Sequence, residues 1–327
     1  MIGADAQRPR IWFAVARWAA ALIVLGLLLY FLPWKPLRAA IARVPVQSFL
    51  LVLGGYLLAH AVGVLKWRMV VNAAGAELDL ATSAQCYAGG LFGTLFLPSI
   101  VGGDVVRLAV GLRRSPRPAA VLAGNIVDRM IDVAAQAGLV ALGLVLLPEM
   151  DLVPDELEDR VEFTVMAFLC LVAAAGLLAY LFRKRLMGGR SVRFRRRLAR
   201  LRHAIRMVSK RSHVLLLGWL LGTGIQMAFL LLTARLAIFC GLNLPLRAWL
   251  FAWPLAKLAA VLPLTQGGIG VREAALVGLL APFGAPAYLV FAVGLVWEGV
   301  IIAGGLVAGA AALVLHRRAS SVLTHSG

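Results

Sequence analysis

Acidic residues are scarce in this chain. Fifteen Asp and Glu stand against 33 Lys and Arg, a net charge of +18. In a soluble protein that imbalance would point to nucleic acid. No basic–aromatic interleaving and no nucleic-acid module accompanies it, so no nucleic-acid partner is expected. Cysteine is equally sparse: Cys86, Cys170 and Cys240 are isolated, with no CxxC or Cys/His cluster. That argues against a zinc site and a disulfide framework, and no metal or cofactor is expected. Enzyme signatures are missing as well, with no G-x-S-x-G, H-E-x-x-H, Walker A or nucleotide-binding fingerprint. Nor is there a polar stretch long enough for a soluble catalytic domain, the longest being the basic loop 183–211. Catalysis is therefore not expected.

What the chain has instead is apolar length. Hydrophobic residues make up 61% of the chain, mean hydropathy is +0.89, and the class implied is an all-α integral membrane protein forming one membrane domain, 1–327. Spans are expected at 11–32, 46–66, 119–147, 161–182, 213–238 and 287–315. Arg8, Arg10 and Arg17 precede the first apolar run, and Pro33-Trp34-Lys35 follows it in place of a small-residue cleavage site, so it reads as an uncleaved helix. Lys66-Trp67-Arg68 reads as an interfacial anchor closing the second span. Residues 183–211, with Arg183, Lys184, Arg185, Arg193 and Arg195–Arg197 among their bases, mark the cytoplasmic side by the positive-inside rule. A second reading makes them an amphipathic helix on anionic lipid headgroups. Tracing outward from that loop puts the acidic stretch 149–159 outside and both termini in the cytoplasm, with Lys35, Arg38, Arg43 and Arg247 as minor exceptions.

Two apolar segments are interrupted in the same way. Leu97-Pro98 leads to Gly102-Gly103-Asp104 and Arg107, and Leu262-Pro263 leads to Gly267-Gly268 and Arg272. Both read L-P-x-x-x-G-G-x-x-x-R, 165 residues apart. Lipid offers no hydrogen bonds to backbone freed by such a break. A matched pair of broken helices, one per half, points to a binding site built on an internal repeat. The arm 104–113 would reach only about 15 Å as helix, half of the roughly 30 Å hydrocarbon core, so 82–113 reads as a re-entrant hairpin. The arms 248–262 and 269–281 form its counterpart. The architecture expected is six spans plus two re-entrant hairpins entering from opposite faces, with 1–147 and 161–318 as inverted repeats.

At each tip the second arm would turn its N-terminal amides and positive dipole end toward the membrane centre, where glycines let a phosphate approach the backbone. Gly102, Gly103, Gly267 and Gly268 also fit a plainer role in close helix packing. Arg107 and Arg272 are harder to account for that way, because a membrane-embedded charge is costly and usually functional. The span 119–147 carries Asn125, Asp128, Arg129, Asp132 and Gln136, several at helical spacing, and Glu298 falls at the repeat-related position beside Asp132. With Asp104, Lys257 and Glu273 these complete the candidate set. The acids and bases nearly balance, which suits either internal ion pairs that rearrange or carboxylates that exchange protons. His60 and Gln226 are further polar groups within spans.

At these residues the sequence resembles the transmembrane region of lysylphosphatidylglycerol synthases and the stand-alone, flippase-like membrane proteins related to it. The resemblance rests on Leu97-Pro98 to Arg107, on Val127-Asp128-Arg129 to Asp132, and on Leu262-Pro263 to Glu273, and spans roughly 10–315. It implies lipid translocation across the bacterial inner membrane. The synthases' soluble aminoacyl-transfer domain has no counterpart here, so the substrate implied is an anionic or polyprenyl-phosphate-linked lipid, or a hopanoid, with no synthesis by this chain. A small-anion transporter on the same scaffold and a membrane-embedded enzyme with Asp128 or Asp132 as base are the alternatives.

Overall fold

The computed structural model describes residues 33–97, 102–146, 192–260 and 270–324. These residues form α1 (Trp34–Ala42), α2 (Val46–Ala73), α3 (Leu80–Thr94), α4 (Gly102–Arg114), α5 (Pro118–Leu146), α6 (Val192–Ser209), α7 (Ser212–Cys240), α8 (Leu246–Ala259), α9 (Val271–Leu280), a short 3-10 turn at Ala281–Phe283, and α10 (Ala287–Thr324). No strand occurs among them. The expected spans 11–32 and 161–182, the acidic stretch 149–159, and the motif turns holding Pro98 and Gly267-Gly268 lie outside the described residues.

Length separates the helices into two kinds. α2, α5, α7 and α10 are long and apolar enough to cross a membrane. α3, α4, α8 and α9 have 15, 13, 14 and 10 residues, about 15–23 Å at 1.5 Å per residue, too short to cross. Their ends are set locally. The Asp79 carboxylate accepts from the Thr82 amide at 3.2 Å and caps α3; those hydrogen bonds hold its carboxyl below the usual carboxylate range. α7 stops at Gly241, φ +90°, where the Leu242 amide donates back to the Ala237 carbonyl at 2.8 Å. α9 starts after Gly270, φ +84°, a conformation that disfavours any side chain.

The packing partners recur between the two halves. α3 lies against α10, as α8 lies against α5; α4 packs on α5, as α9 packs on α10; α1 rests on α10, as α6 rests on α5. α2 and α7 pack against each other. Leucines such as Leu50, Leu51 and Leu58 on α2, Leu216 and Leu220 on α7, and Leu306 and Leu313 on α10 remain exposed, as outer faces in contact with lipid would be.

Two expectations need correction. α2 does not end at Lys66-Trp67-Arg68 but runs on to Ala73, with Lys66 and Trp67 buried. Lys66 is no interfacial anchor, because two carboxylates of α5 hold its ammonium inside the bundle. Over α6, the described part of the basic loop, the apolar face is turned to protein rather than lipid. Ala204 and Val208 of α6, with Leu201 and Ile205, are packed into a core shared with Val70, Val71, Ala120 and Val121.

Gly102 and Gly103 are buried by their own hairpin. A Cβ on Gly103 would stand 2.6 Å from the Gly90 carbonyl oxygen, and one on Gly102 would stand 2.5 Å from the Leu97 Cβ. The close packing role therefore holds for both in this conformation. Replacing Gly103 by Val should push α3 from α4 and cost about 1–3 kcal/mol, read as a lower unfolding midpoint in detergent. A midpoint equal to wild type would show that the approach is not required.

Candidate functional site

The polar stripe expected on α5 faces inward, with Asn125, Asp128 and Gln136 all buried. It meets α2 on one side: Lys66 Nζ lies 2.5 Å from Asp128 Oδ1 and 2.7 Å from Asp132 Oδ1, and Trp67 donates its indole N–H to Asn125 at 3.0 Å. Along α5 Arg129 contacts Asp128 at 3.0 Å and Asp132, one turn on, at 2.8 Å, and it reaches across to Asp104 at 3.4 Å. Arg107 of α4 joins more loosely, 3.5 Å from Asp104 and 4.0 Å from Asp128. Three bases thus face three acids. A neutral total is what a low-dielectric interior requires, since an unpaired charge there carries the full desolvation cost.

Arg107 is the most loosely paired base of this group. Its guanidinium lies 3.9 Å over the Tyr87 ring. Its Nε and Nη1 are buried and find no hydrogen-bond acceptor among the described residues. Arg129 is the most exposed member, with 39% of its side chain accessible against 1% for Asp128, so the cluster opens outward on that side.

The second cluster is smaller and tighter. Arg272 lies 2.5 Å from Glu273 Oε1 and 2.8 Å from Glu298 Oε2. Glu273 also accepts from the Gly270 amide at 2.7 Å, so the start of α9 is capped by its own carboxylate. Gly294 makes the space: a Cβ there would come within 2.6 Å of Glu273 Cγ. The two clusters share one geometry: Arg107 of α4 faces Asp128 on α5, and Arg272 of α9 faces Glu298 on α10. The sequence-expected residues Asp104, Arg107, Asp128, Arg129 and Asp132 are brought together, and so are Arg272, Glu273 and Glu298. Gly267 and Gly268 are outside the described residues.

Between the clusters runs a row of rings. His60 lies 5.8 Å from Tyr87 and 5.0 Å from Phe229 between ring centroids, and Tyr56 sits edge-on to it at 4.4 Å. Lys257 of α8 closes this row, donating to the Gln226 side chain at 2.7 Å with its Nζ 5.1 Å over Phe229.

Sequence reasoning missed Lys66 and the ring residues Trp67 and Tyr87. The signal for Lys66 was present: Met69-Val70-Val71 continue the apolar run beyond it, and the acids of α5 otherwise outnumber their bases.

At the basic end of the bundle a cleft of about 550 Å³ is lined by Arg117, Arg200 and His203 together with small residues such as Ala119, Ala120 and Ala204. Arg114 lies 3.3 Å from His316, so the end of α4 and the C-terminal part of α10 meet on one side.

Among known proteins, a family model described as the lysylphosphatidylglycerol synthase TM region matches residues 15–309 of the 327-residue chain. No curated protein and no solved structure matches it.

Proposed function

The chain belongs to the lysylphosphatidylglycerol synthase TM region family, a membrane protein of a family concerned with lipid, and from that premise we propose that it is a lipid translocase of the bacterial cytoplasmic membrane. It moves an anionic or polyprenyl-phosphate-linked lipid without converting it. The two hairpins enter from opposite faces as inverted repeats, and six spans surround them, with both termini cytoplasmic. The headgroup passes between the hairpins while its chains stay in the bilayer.

The observation that carries this reading is the state of Arg107. A buried guanidinium whose Nε and Nη1 find no acceptor among the described residues, beside carboxylates at 3.5 and 4.0 Å, is poised to exchange a loose internal partner for a phosphate oxygen. A charge-assisted bond of that kind is shorter and stronger than the contacts it would replace. Arg129, at the outward side of the same cluster, gives the headgroup its first contact. Asp104, Asp128 and Asp132 supply the counter-charge that Arg107 and Arg129 regain once the headgroup has left, so the empty site stays neutral. The recurring helix contacts between the halves support the inverted repeat. The contact of Arg114 with His316 supports a common side for the first hairpin's basic end and the C-terminus. The basic face of α6 and the cleft beside Arg117, Arg200 and His203 give anionic headgroups a place to gather on the cytoplasmic surface.

The test is reconstitution into phosphatidylcholine vesicles containing a fluorescently labelled phosphatidylglycerol, with transfer between leaflets followed by a membrane-impermeant quencher. Transfer above that of protein-free vesicles is expected. Rates equal to those of protein-free vesicles over a range of labelled anionic and prenyl-phosphate lipids would overturn the reading.

A further inference from the structure

The repeat makes Arg107 and Arg272 look like an equivalent pair, but their surroundings differ. Arg272 is committed. Its Nε and Nη2 both reach Glu273, its Nη2 also reaches Glu298, and Glu273 is itself held by the Gly270 amide. For Arg272 to take a phosphate it would have to leave two close carboxylates. Lys257 is held differently. Among the described residues its hydrogen-bond acceptor is the neutral amide of Gln226, and the other group at its Nζ is the face of Phe229. No described carboxylate lies within ion-pair distance of it. Asp132, Arg129 and Arg272 are its electrostatic neighbours, which places it between the two clusters. An ammonium inside a membrane bundle with a neutral partner costs stability, and such groups mark function more often than packing.

The two loosely held cations also share a setting. Arg107 stacks on Tyr87 and Lys257 on Phe229, and His60 packs against both rings. Arg107 belongs to the second arm of the first hairpin and Lys257 to the first arm of the second. A headgroup moving from one hairpin to the other would therefore meet one available cation at each end of a single aromatic row. Lys257 has no counterpart in the first half, where the equivalent position by the 165-residue offset is Phe92; the motif alone does not reveal it.

We propose that Arg107 and Lys257 are the two cations that the phosphate of a lipid headgroup contacts in turn, and that Arg272 with Glu273 and Glu298 is a closed structural unit. This rests on the translocase reading above and names the residues that serve it. The phosphate oxygens take the N–H groups that Arg107 leaves unpartnered at one end. At the other, they displace Gln226 from Lys257, which exchanges a neutral acceptor for a charged one.

The test uses full-length protein in phosphatidylcholine vesicles with labelled phosphatidylglycerol, and in detergent with added phosphatidylglycerol for native mass spectrometry. Lys257→Met keeps the length and apolar stem but removes the ammonium. It is expected to lower phosphatidylglycerol transfer about tenfold or more, the value of one charge-assisted hydrogen bond, and to reduce the phosphatidylglycerol retained per protein. Lys257→Arg should keep both near wild type. The unfolding midpoint of Lys257→Met should stay level or rise, because a buried ammonium has been removed; a merely structural lysine would lower it. Wild-type transfer and retention in Lys257→Met would overturn the proposal, as would a lowered midpoint with unchanged retention. If wild type moves no lipid, the translocase reading fails, and retention alone decides Lys257: loss in Lys257→Met supports the contact, equal retention overturns it.

Discussion

Asp128→Asn should destabilise the protein by about 3–5 kcal/mol, the usual consequence of removing one partner from a buried ion pair. Asp128 is fully buried and serves Lys66, Arg129 and, at longer range, Arg107. Its loss leaves three bases facing only Asp104 and Asp132. The measurement is the unfolding midpoint in a mild detergent, with yield of the monodisperse species as a second readout. The double variant Lys66→Met with Asp128→Asn removes one charge of each sign and should recover most of the loss. Failure of that recovery would mean that Asp128 acts through packing rather than through charge.

Arg272→Met is expected to be of similar size, about 3–5 kcal/mol, because it strands Glu273 and Glu298 against each other without a counter-charge. Glu298→Gln removes only one of the two carboxylates and should cost less, since Arg272 retains Glu273 at 2.5 Å. The ranking is the informative part: Arg272→Met well below Glu298→Gln, and Lys257→Met level with wild type or above it. The unfolding midpoints of the three variants check it. An Arg272→Met protein as stable as wild type would dissolve the distinction between a closed structural unit and an available cation.

How far the sequence could be read depended on whether a residue's pattern was unique to its role. Pro, Gly-Gly and Arg together inside an apolar run fit little besides a broken helix, so both interrupted segments and their half-length arms were legible, as were the stripe on α5 and the family. Lys66 was not, because Lys-Trp-Arg at the end of a span has the same appearance whether it anchors in headgroups or turns inward. Only the two α5 carboxylates at 2.5 and 2.7 Å decide between them. With Lys66 included, the acids and bases of the two clusters and the ring row that first nearly balanced become equal among the described residues: Lys66, Arg107, Arg129, Lys257 and Arg272 against Asp104, Asp128, Asp132, Glu273 and Glu298. The glycines were ambiguous in a different way. A pair of glycines fits backbone approach to phosphate and close helix contact equally well, and it is the Gly90 carbonyl at 2.6 Å from a Cβ on Gly103 that assigns the second role in this conformation. The apolar face of α6 is visible in its sequence, but whether lipid or protein covers it depends on contacts made by α2 and α5, far away in the chain.

Arg107 carries the proposed function, since it is buried among its neighbours yet keeps donors that find no acceptor among the described residues. The most direct measurement is phosphatidylglycerol transfer in vesicles by wild type and Arg107→Gln side by side, each with its unfolding midpoint. A loss of about tenfold or more in transfer, by a protein that stays folded with a midpoint lowered less than that of Asp128→Asn because Arg107 is the more loosely paired group, is the predicted result. Undiminished transfer by a folded Arg107→Gln protein would contradict the account.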